Sequence, residues 1–371
     1  MRFLMLNWRD PRNPLAGGAE RVSEAYLRGL MTRGHEVVWF ANHFSGCASE
    51  ETIGGLRIVR GGGRGTSVLA ARKWVRRQPP FDLVIDQHHG IPWFAPWWCQ
   101  TRCVTYIHEI LGPIWSSFYP WPLSMIGRWQ ESWTHRLYSK VPFWVGSEST
   151  RQAILRRGVR EVTLVPYGID TEILPALESK SIEGTLRLVV VSRLAPNKRV
   201  DHAIEVARIL MNAGTAVELV VVGDGECAAL LQKQVSEAKL SSIVRFAGRL
   251  GEAAKDDELR KAHFLLHTSV REGWGLNVIE ANARGTPAAV YPVPGLVDST
   301  VDGVTGLVSP LETPESLVTS LRELQANPVR YAVLRRQAWE RSRTFRWETI
   351  LPVACDWLEQ QARRPRSTLA R

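Results

Sequence analysis

Short apolar runs alternate along this chain with longer stretches in which apolar positions recur every three or four residues. In the first half, "FLMLNW", "EVVWFA", "LRIVR", "DLVID", "CVTYIH" and "FWVGS" have the length and the β-branched and aromatic content of buried strands. Between the first two, "GGAERVSEAYLRGLMTRGH" has helical periodicity, begins at a glycine turn and stops at Gly34. In the second half, "LRLVVVSRL", "AVELVVVGDG", "IVRFAG", "HFLLHTS" and "TPAAVYPV" read as strands, with "DHAIEVARILMNAG" and "CAALLQKQVSEAK" as helices among them. Strands alternating with amphipathic helices predict α/β layers around parallel sheets.

The length of 371 residues suits two domains. The join falls near residues 167–184, "YGIDTEILPALESKSIEG", which is polar and has little periodicity. The C-terminal "FRWETILPVACDWLEQQARR" predicts a helix started or interrupted at Pro352. No repeat of 20–50 residues is present. "RGGGRG", residues 60–65, is too short for an RNA-binding element and reads as a mobile loop.

Composition narrows the class. Five cysteines, an odd number with one close C-x3-C pair at Cys99 and Cys103, give neither a disulfide framework nor a zinc-ligand spacing. They read as reduced thiols of a cytoplasmic protein. "MRFLMLNWRD" reads as a first strand and not as a signal peptide, and no run approaches the ~18 apolar residues of a membrane span. Residues 1–170 carry 21 Lys and Arg against 13 Asp and Glu, while residues 171–371 carry 26 against 24. The basic half also holds 11 of the 15 tryptophans. Such a half could meet nucleic acid, an anionic membrane or an acidic acceptor. The proline-broken "GIPWFAPWWCQ" and "LGPIWSSFYPWPLSMIGRW" suggest an aromatic platform, either for acceptor sugars or for a membrane interface.

The candidate chemistry centres on "REGWGLNVIE". Glu272 and Glu280 bracket seven residues that turn from the end of a buried strand into a helix. Parallel sheets bind ligands beyond their strands' carboxyl ends, and a helix N-terminus there favours an anion. Glu280 stands about one turn, roughly 6 Å, inside the helix. A carboxylate at each end, with N–H donors between, suits a ligand that has hydroxyls at both ends and phosphate in the middle, as a nucleotide sugar has. Arg193, at the end of "LRLVVVSRL", and Lys198, just before the next helix, supply two fixed cations for a diphosphate. No D-x-D sequence is present to hold a metal at such a site.

The run "SRLAPNK … VVGDGE … FAGRL … VREGWGLNVIEANARGTPAAV … GVTGLV" resembles the second domain of the retaining glycosyltransferases of family 4, with "GGAERV", "TYIHE", "GSEST" and "VPYGID" extending the likeness over the first half. The resemblance implies a GT-B fold, two Rossmann-like α/β domains facing each other across a deep cleft. Residues 1–170 would bind the acceptor, residues 171–347 the nucleotide-sugar donor, and a last helix, 348–371, would cross back to the first domain. It implies that Arg193 and Lys198 hold the donor diphosphate and that Glu280 bonds the ribose. Glu272 would bond the transferred sugar, helped by backbone N–H groups of Gly273, Trp274, Gly275 and Leu276. Gly248, Arg249 and Leu250 would border the base, Gly17 and Gly18 would let a loop approach the phosphates, and His108 would face the reacting sugar. Two stretches depart from the pattern: "VPYGID" has Tyr167 where asparagine is common, and "PVPGLVDSTVDG" has the single Gly295 and Asp298 where a glycine pair and glutamate are frequent.

The resemblance thus implies transfer of a hexose from a nucleoside diphosphate to a hydroxyl, with retention and with neither metal nor cofactor. The acceptor would be a glycan or a lipid-linked sugar in polysaccharide or glycolipid assembly. The protein would be cytoplasmic, with a peripheral contact at the inner face of the membrane and no nucleic-acid partner. His88 and His89 are candidates for the acceptor cleft. His263 and His267 lie four apart on a strand without a third metal ligand. A nucleotide-sugar epimerase of the same architecture is the alternative reading. Two others are an NAD-dependent oxidoreductase, from the G-x-G-x-x-A of "GDGECA", and a silent sugar- or nucleic-acid-binding module.

Overall fold

The computed structural model describes residues 1–63 and 65–365; Arg64 of the "RGGGRG" stretch lies outside the described residues. The chain forms two compact units. The first holds Met1–Trp115, Trp121–Gly168 and the chain from Trp347 onward, and the second holds Ser116–Pro120 and Ile169–Arg346.

The chain runs first through β1 (Arg2–Leu6), α1 (Gly18–Thr32), β2 (Glu36–Ala41), β3 (Glu50–Ile53), β4 (Leu56–Arg60), α2 (Ser67–Val75), β5 (Leu83–His88) and α3 (Ala95–Trp98). It continues through β6 (Cys103–Ile107), α4 (Ile114–Phe118), α5 (Leu123–Leu137), β7 (Phe143–Val145), α6 (Glu148–Arg156) and β8 (Val162–Leu164). The strands form one sheet in the order β3-β4-β2-β1-β5-β6-β7-β8. All pairs are parallel except β3–β4 at the edge. The apolar runs become fully buried central strands, as Phe3 to Leu6 and Leu83 to Ile85 illustrate. β3 and β8 were not anticipated. "EETI" has too few apolar residues, and "VTL" is too short to stand out from its flanks.

The second unit contains β9 (Leu186–Val191), α7 (Val200–Asn212), β10 (Val217–Val222), α8 (Ala228–Glu237), β11 (Val244–Gly248), α9 (Glu252–Lys261) and β12 (Phe264–His267). After these come α10 (Leu276–Ala283), β13 (Ala288–Val290), α11 (Leu296–Ser299), β14 (Gly306–Val308), α12 (Pro314–Gln325) and α13 (Pro328–Ser342). The parallel sheet order is β11-β10-β9-β12-β13-β14. The chain therefore starts at β9, builds outward to β11, then returns to the other side of β9 with β12. That reversal is the topological switch point of a doubly wound sheet, and the loops after β9 and β12 diverge there.

Residues 169–185 are not a free linker. Leu174 N–H donates to Ala283 O at 3.0 Å and Trp339 Nε1 to Leu174 O at 2.9 Å. Arg335 Nη1 reaches Glu178 O at 3.2 Å, and Lys180 Nζ donates to Ala262 O at 2.7 Å and to Thr286 Oγ1 at 3.1 Å. The segment lacks periodicity because its polar groups bond to the second unit individually, without a ladder.

The last helix, α14 (Trp347–Arg363), packs on α1 within the first unit. Arg33 pairs with Asp356 at 2.6 Å and Glu359 at 3.0 Å, and a Cβ on Gly29 would lie 3.1 Å from both Cys355 Sγ and Leu351 Cδ2. Pro352 neither starts nor breaks the helix; it lies inside α14, and its carbonyl accepts from Arg33 Nη2 at 3.2 Å. One of the two tryptophan segments is also corrected. In "GIPWFAPWWCQ", Trp93 is fully buried and stacked on Trp8 at 4.5 Å, and Trp98 Nε1 donates to Trp93 O, so the segment is largely core.

Burial pushes the Lys180 ammonium down to about 7, far below an ordinary lysine. The folded state then binds fewer protons than the unfolded chain between about pH 7 and the ordinary lysine pKa near 10.4, so this group's contribution to stability rises with pH across that window. We expect the melting temperature of the native protein, relative to Lys180→Met, to increase from pH 7 to pH 9 in thermal unfolding scans. A constant or shrinking difference would contradict the burial argument.

Candidate functional site

The carboxyl ends of β9, β10, β11 and β12 carry the second unit's candidate residues. After β9 the chain passes Ser192 and Arg193 and makes a 3-10 turn at Pro196–Lys198 before α7. After β12 it passes Thr268 to Gly275 and enters α10. Backbone and side-chain bonds stitch the two loops. Val270 N–H donates to Asn197 O at 2.9 Å, Thr268 Oγ1 to Arg199 O at 2.8 Å, and Arg199 Nε to Thr268 O at 2.8 Å. Asn277 Nδ2, in the first turn of α10, donates to Val191 O at 2.7 Å and ties that helix to the end of β9.

This stitching sets Lys198 Nζ against Glu272 Oε1 in a hydrogen-bonded ion pair. His267 Nε2, from the last residue of β12, lies 3.6 Å from the same oxygen. Burial works to raise the Glu272 carboxyl, and the Lys198 charge and His267 overcome it, so its pKa lies below the usual carboxylate value. Burial holds His267 down at about 4, so its imidazole is neutral at pH 7. The site at rest is a carboxylate and an ammonium satisfying each other.

Two glycines make the loop possible. Gly275, just before α10, has φ +88°, which turns the chain into the helix. Gly295, in "PVPGLVDS", passes so close that a Cβ there would lie 2.2 Å from the Glu272 carbonyl oxygen. Glu272 N–H in turn donates to Pro294 O at 3.2 Å. In the first turn of α10, Val278 N–H already donates to Gly275 O at 3.0 Å, while the N–H groups that precede it have no carbonyl one turn back in the helix to meet.

The other candidates of the second unit have separate partners. Arg193 is exposed at the end of β9, and its guanidinium reaches Glu226 Oε2 at 3.0 Å. Glu280 is buried one turn into α10 and pairs with Lys255 Nζ at 3.0 Å. Gly248 closes β11, with Arg249 and Leu250 following, and its carbonyl accepts from Gly223 N–H at 2.8 Å. Trp274 is buried, with its ring 5.4 Å from that of Phe345. Of the four charged side chains singled out, the structure brings Lys198 and Glu272 into contact. Arg193 and Glu280 stand at the same end of the sheet, each with a different partner.

Sequence reasoning missed Lys255 and the contact of His267 with Glu272. Lys255 is buried between Glu280 and Glu252, the latter at 2.6 Å. Burial lowers its pKa, and the two carboxylates more than reverse that, leaving it raised. Its surroundings, "GEAAKDDELRK", look like a solvated helix face, so only the pairing across to α10 reveals it. His267 and His263 do not converge on a metal: His263 Nδ1 accepts from Arg187 N–H at 2.9 Å, while His267 faces Glu272.

In the first unit, His108 follows β6 directly. Its Nδ1 is 2.8 Å from Tyr167 Oη, and its buried Nε2 has no hydrogen-bond partner among the described residues. Burial lowers its pKa to about 3, so the ring is neutral. Tyr167, one of the two departures from the family pattern, is thus the residue that orients it. Asp298, the other, lies in α11, and its carbonyl accepts from Arg341 Nη2 at 2.9 Å. Gly17 caps α1, with its N–H donating to Glu20 Oε2 at 2.7 Å, and Gly18 opens the helix. His88 is corrected to a core residue: it is buried, 3.6 Å from Asp86 and edge-on to Tyr138. His89 beside it is exposed.

Two family models divide the chain between them. Residues 16–173 match Glycosyltransferase Family 4, and residues 177–342 match Glycosyl transferases group 1. The chain is 24% identical over 397 residues to a glycogen synthase of Mycobacterium tuberculosis, covering 94% of this chain and 92% of that protein. Its fold is similar to sucrose-phosphate synthase from Thermosynechococcus elongatus, with a TM-score of 0.79 at 18% identity over 97% of this chain and 98% of the other. It is also similar to Anabaena HepE in complex with UDP and glucose, with a TM-score of 0.73 at 17% identity over 97% and 100% of the two chains. The two α/β units have the GT-B fold. The chain belongs to the group 1 glycosyltransferases of family 4 and is a glycosyltransferase.

Removing one partner of a buried ion pair strands the other charge, which costs about 3–5 kcal/mol. We expect Lys255→Met to lower the unfolding free energy of the second unit by about that much in urea titrations. Glu252→Gln, at the exposed end of the same cluster, should change it by less than about 1 kcal/mol. Equal effects would contradict the buried pairing of Lys255 with Glu280.

Proposed function

We propose that this glycosyltransferase moves a hexose from a nucleoside diphosphate to a hydroxyl of a glycan or lipid-linked acceptor, with retention of configuration and without a metal. The observation that carries the reading is the Lys198–Glu272 pair at the switch point of the donor unit's sheet. In this reading the donor separates the pair. Lys198 and Arg193 turn to the diphosphate, Glu272 accepts from hydroxyls of the transferred sugar, and Glu280, held by Lys255, accepts from the ribose. The N–H groups of Gly273 to Leu276 add donors beside the sugar, and Gly248 to Leu250 border the base.

Chemistry follows from charge placement. The bond from the anomeric carbon to the phosphate oxygen breaks while the acceptor oxygen bonds on the same face. The departing phosphate oxygen takes the acceptor's proton. The two cations stabilise negative charge as it grows on the diphosphate, the work that a metal does at a D-x-D site. HepE is solved with UDP and with UDP-glucose, which supports a uridine-type donor here. The glycogen synthase relative supports a polysaccharide product. Five free cysteines support a cytoplasmic enzyme, and a lipid-linked acceptor would bring it to the inner face of a membrane.

Loss of one preorganised charge partner costs about 10²–10³ in turnover. Lys198→Ala and Arg193→Ala should each show that loss at saturating donor, while excess EDTA should leave the native rate unchanged. Near-native turnover in both variants would discard the diphosphate assignment. A rate abolished by EDTA and restored by magnesium would discard metal independence. Release of an altered sugar nucleotide from donor alone would favour the epimerase.

A further inference from the structure

Helix α5 is built inside out. Its buried residues are Ser124, Gly127, Glu131, Thr134 and His135, with Tyr138 just beyond its end. Its exposed ones include Leu123, Met125, Ile126, Trp129, Trp133 and Leu137. At 3.6 residues per turn, these exposed apolar side chains share one arc of roughly 160°. Trp129 is 70% exposed, and Trp121, just before the helix, is 80% exposed.

The polar inward face is fully employed. Glu131 accepts from the backbone N–H groups of Leu111 at 2.7 Å and Gly112 at 3.0 Å. Gly127 lies under the Trp115 ring, where a Cβ would come within 2.5 Å. His135 Nδ1 is 2.6 Å from Arg157 Nη1, and Tyr138 Oη donates to Asp86 Oδ2 at 2.8 Å. Five specific anchors orient the helix, so its outward face is a fixed feature of the fold. A soluble domain gains nothing from holding an apolar arc outward by polar anchors.

Charge selects the occupant. Between residues 110 and 147 the only carboxylate side chain is that of Glu131, which is buried. Arg128 and Arg136 on the helix and Lys140 after it are exposed. An apolar arc with tryptophans and flanking arginines, on a helix of 15 residues that is too short to span a bilayer, matches an element lying in the plane of a membrane interface. No helix among the described residues is long and apolar enough to cross a membrane.

We propose that the outward face of α5, with Trp121, docks the protein on an anionic bilayer surface, the tryptophans and aliphatic side chains entering the interface and Arg128 and Arg136 meeting lipid phosphates. The proposal rests on the peripheral membrane contact of the glycosyl-transfer reading and names its surface; it is tested without donor or acceptor, so either can fail alone. The measurement is flotation of the full chain with vesicles of equal parts phosphatidylglycerol and phosphatidylcholine, and with phosphatidylcholine alone. The native protein should float with the anionic vesicles, more weakly at high salt, and scarcely with the neutral ones. At about 1 kcal/mol per basic residue, Arg128→Glu with Arg136→Glu should weaken partitioning at least about tenfold. Trp121→Ser with Trp129→Ser should abolish it, both pairs keeping the native melting temperature. If the tryptophan variants melt early, the salt and lipid dependence of the native chain decides. Absent or lipid-indifferent binding would overturn the proposal. So would a native dimer, seen by sedimentation, that Trp129→Ser makes monomeric, since a second copy would then own the face.

Discussion

In the second unit, two loops meet in one ion pair between residues 74 apart in sequence, Lys198 and Glu272. Neither residue is positioned by its own element. Lys198 ends a 3-10 turn that bonds to the loop after β12, and Glu272 sits in a loop tied to Pro294 and pressed by Gly295. Those loops leave the neighbouring strands β9 and β12, and hydrogen bonds between them hold them side by side. A partly buried carboxylate and ammonium would each be costly alone. Together they are tolerable, and in the proposed reading a donor parts them by presenting a phosphate to one and hydroxyls to the other.

The same principle of polar anchoring governs the first unit. Asp86 is buried at the end of β5, its pKa pushed up to about 6 by burial, against bonds from Trp93 N–H, Tyr138 Oη and Ala95 N–H. Those bonds fix the turn after β5 and the end of α5. Glu131 and His135 fix the rest of that helix. Apolar side chains that would normally form the core under a helix are thereby left outside. The tryptophan-rich stretches thus divide by physics: Trp93 is core because β5 holds its backbone, whereas Trp121 and Trp129 are surface because the inward positions of α5 are already polar.

Much of the fold was legible because parallel strands buried on both faces are near-continuous apolar runs, such as "LRLVVV" and "FLLH". Edge strands such as "EETI" lack that signature. The charged loop residues were legible by spacing, since Glu272 and Glu280 straddle a glycine turn. Their partners were not, because Lys255 and Glu226 come from elements whose sequences look solvated and meet the site only through tertiary packing. α5 was legible only in part: its tryptophan-rich start suggested an aromatic platform, but the partners that hold its other face inward, at Leu111, Gly112, Arg157 and Asp86, come from elsewhere in the chain. Pro352 misled for a related reason. A proline usually ends a helix, yet α14 runs through it, its carbonyl bonded to Arg33.

Calorimetric titration of a nucleoside diphosphate and of the matching sugar nucleotide, on native protein and on Glu272→Gln, tests the central pair most directly. The substitution removes the charge that holds Lys198 at rest and leaves a neutral amide oxygen, a weaker acceptor for sugar hydroxyls. The account predicts that the diphosphate binds the variant at least as tightly as the native protein, while the added affinity contributed by the sugar falls. If both ligands weaken equally, or neither changes, Lys198 and Glu272 do not divide the donor between them and the account is wrong.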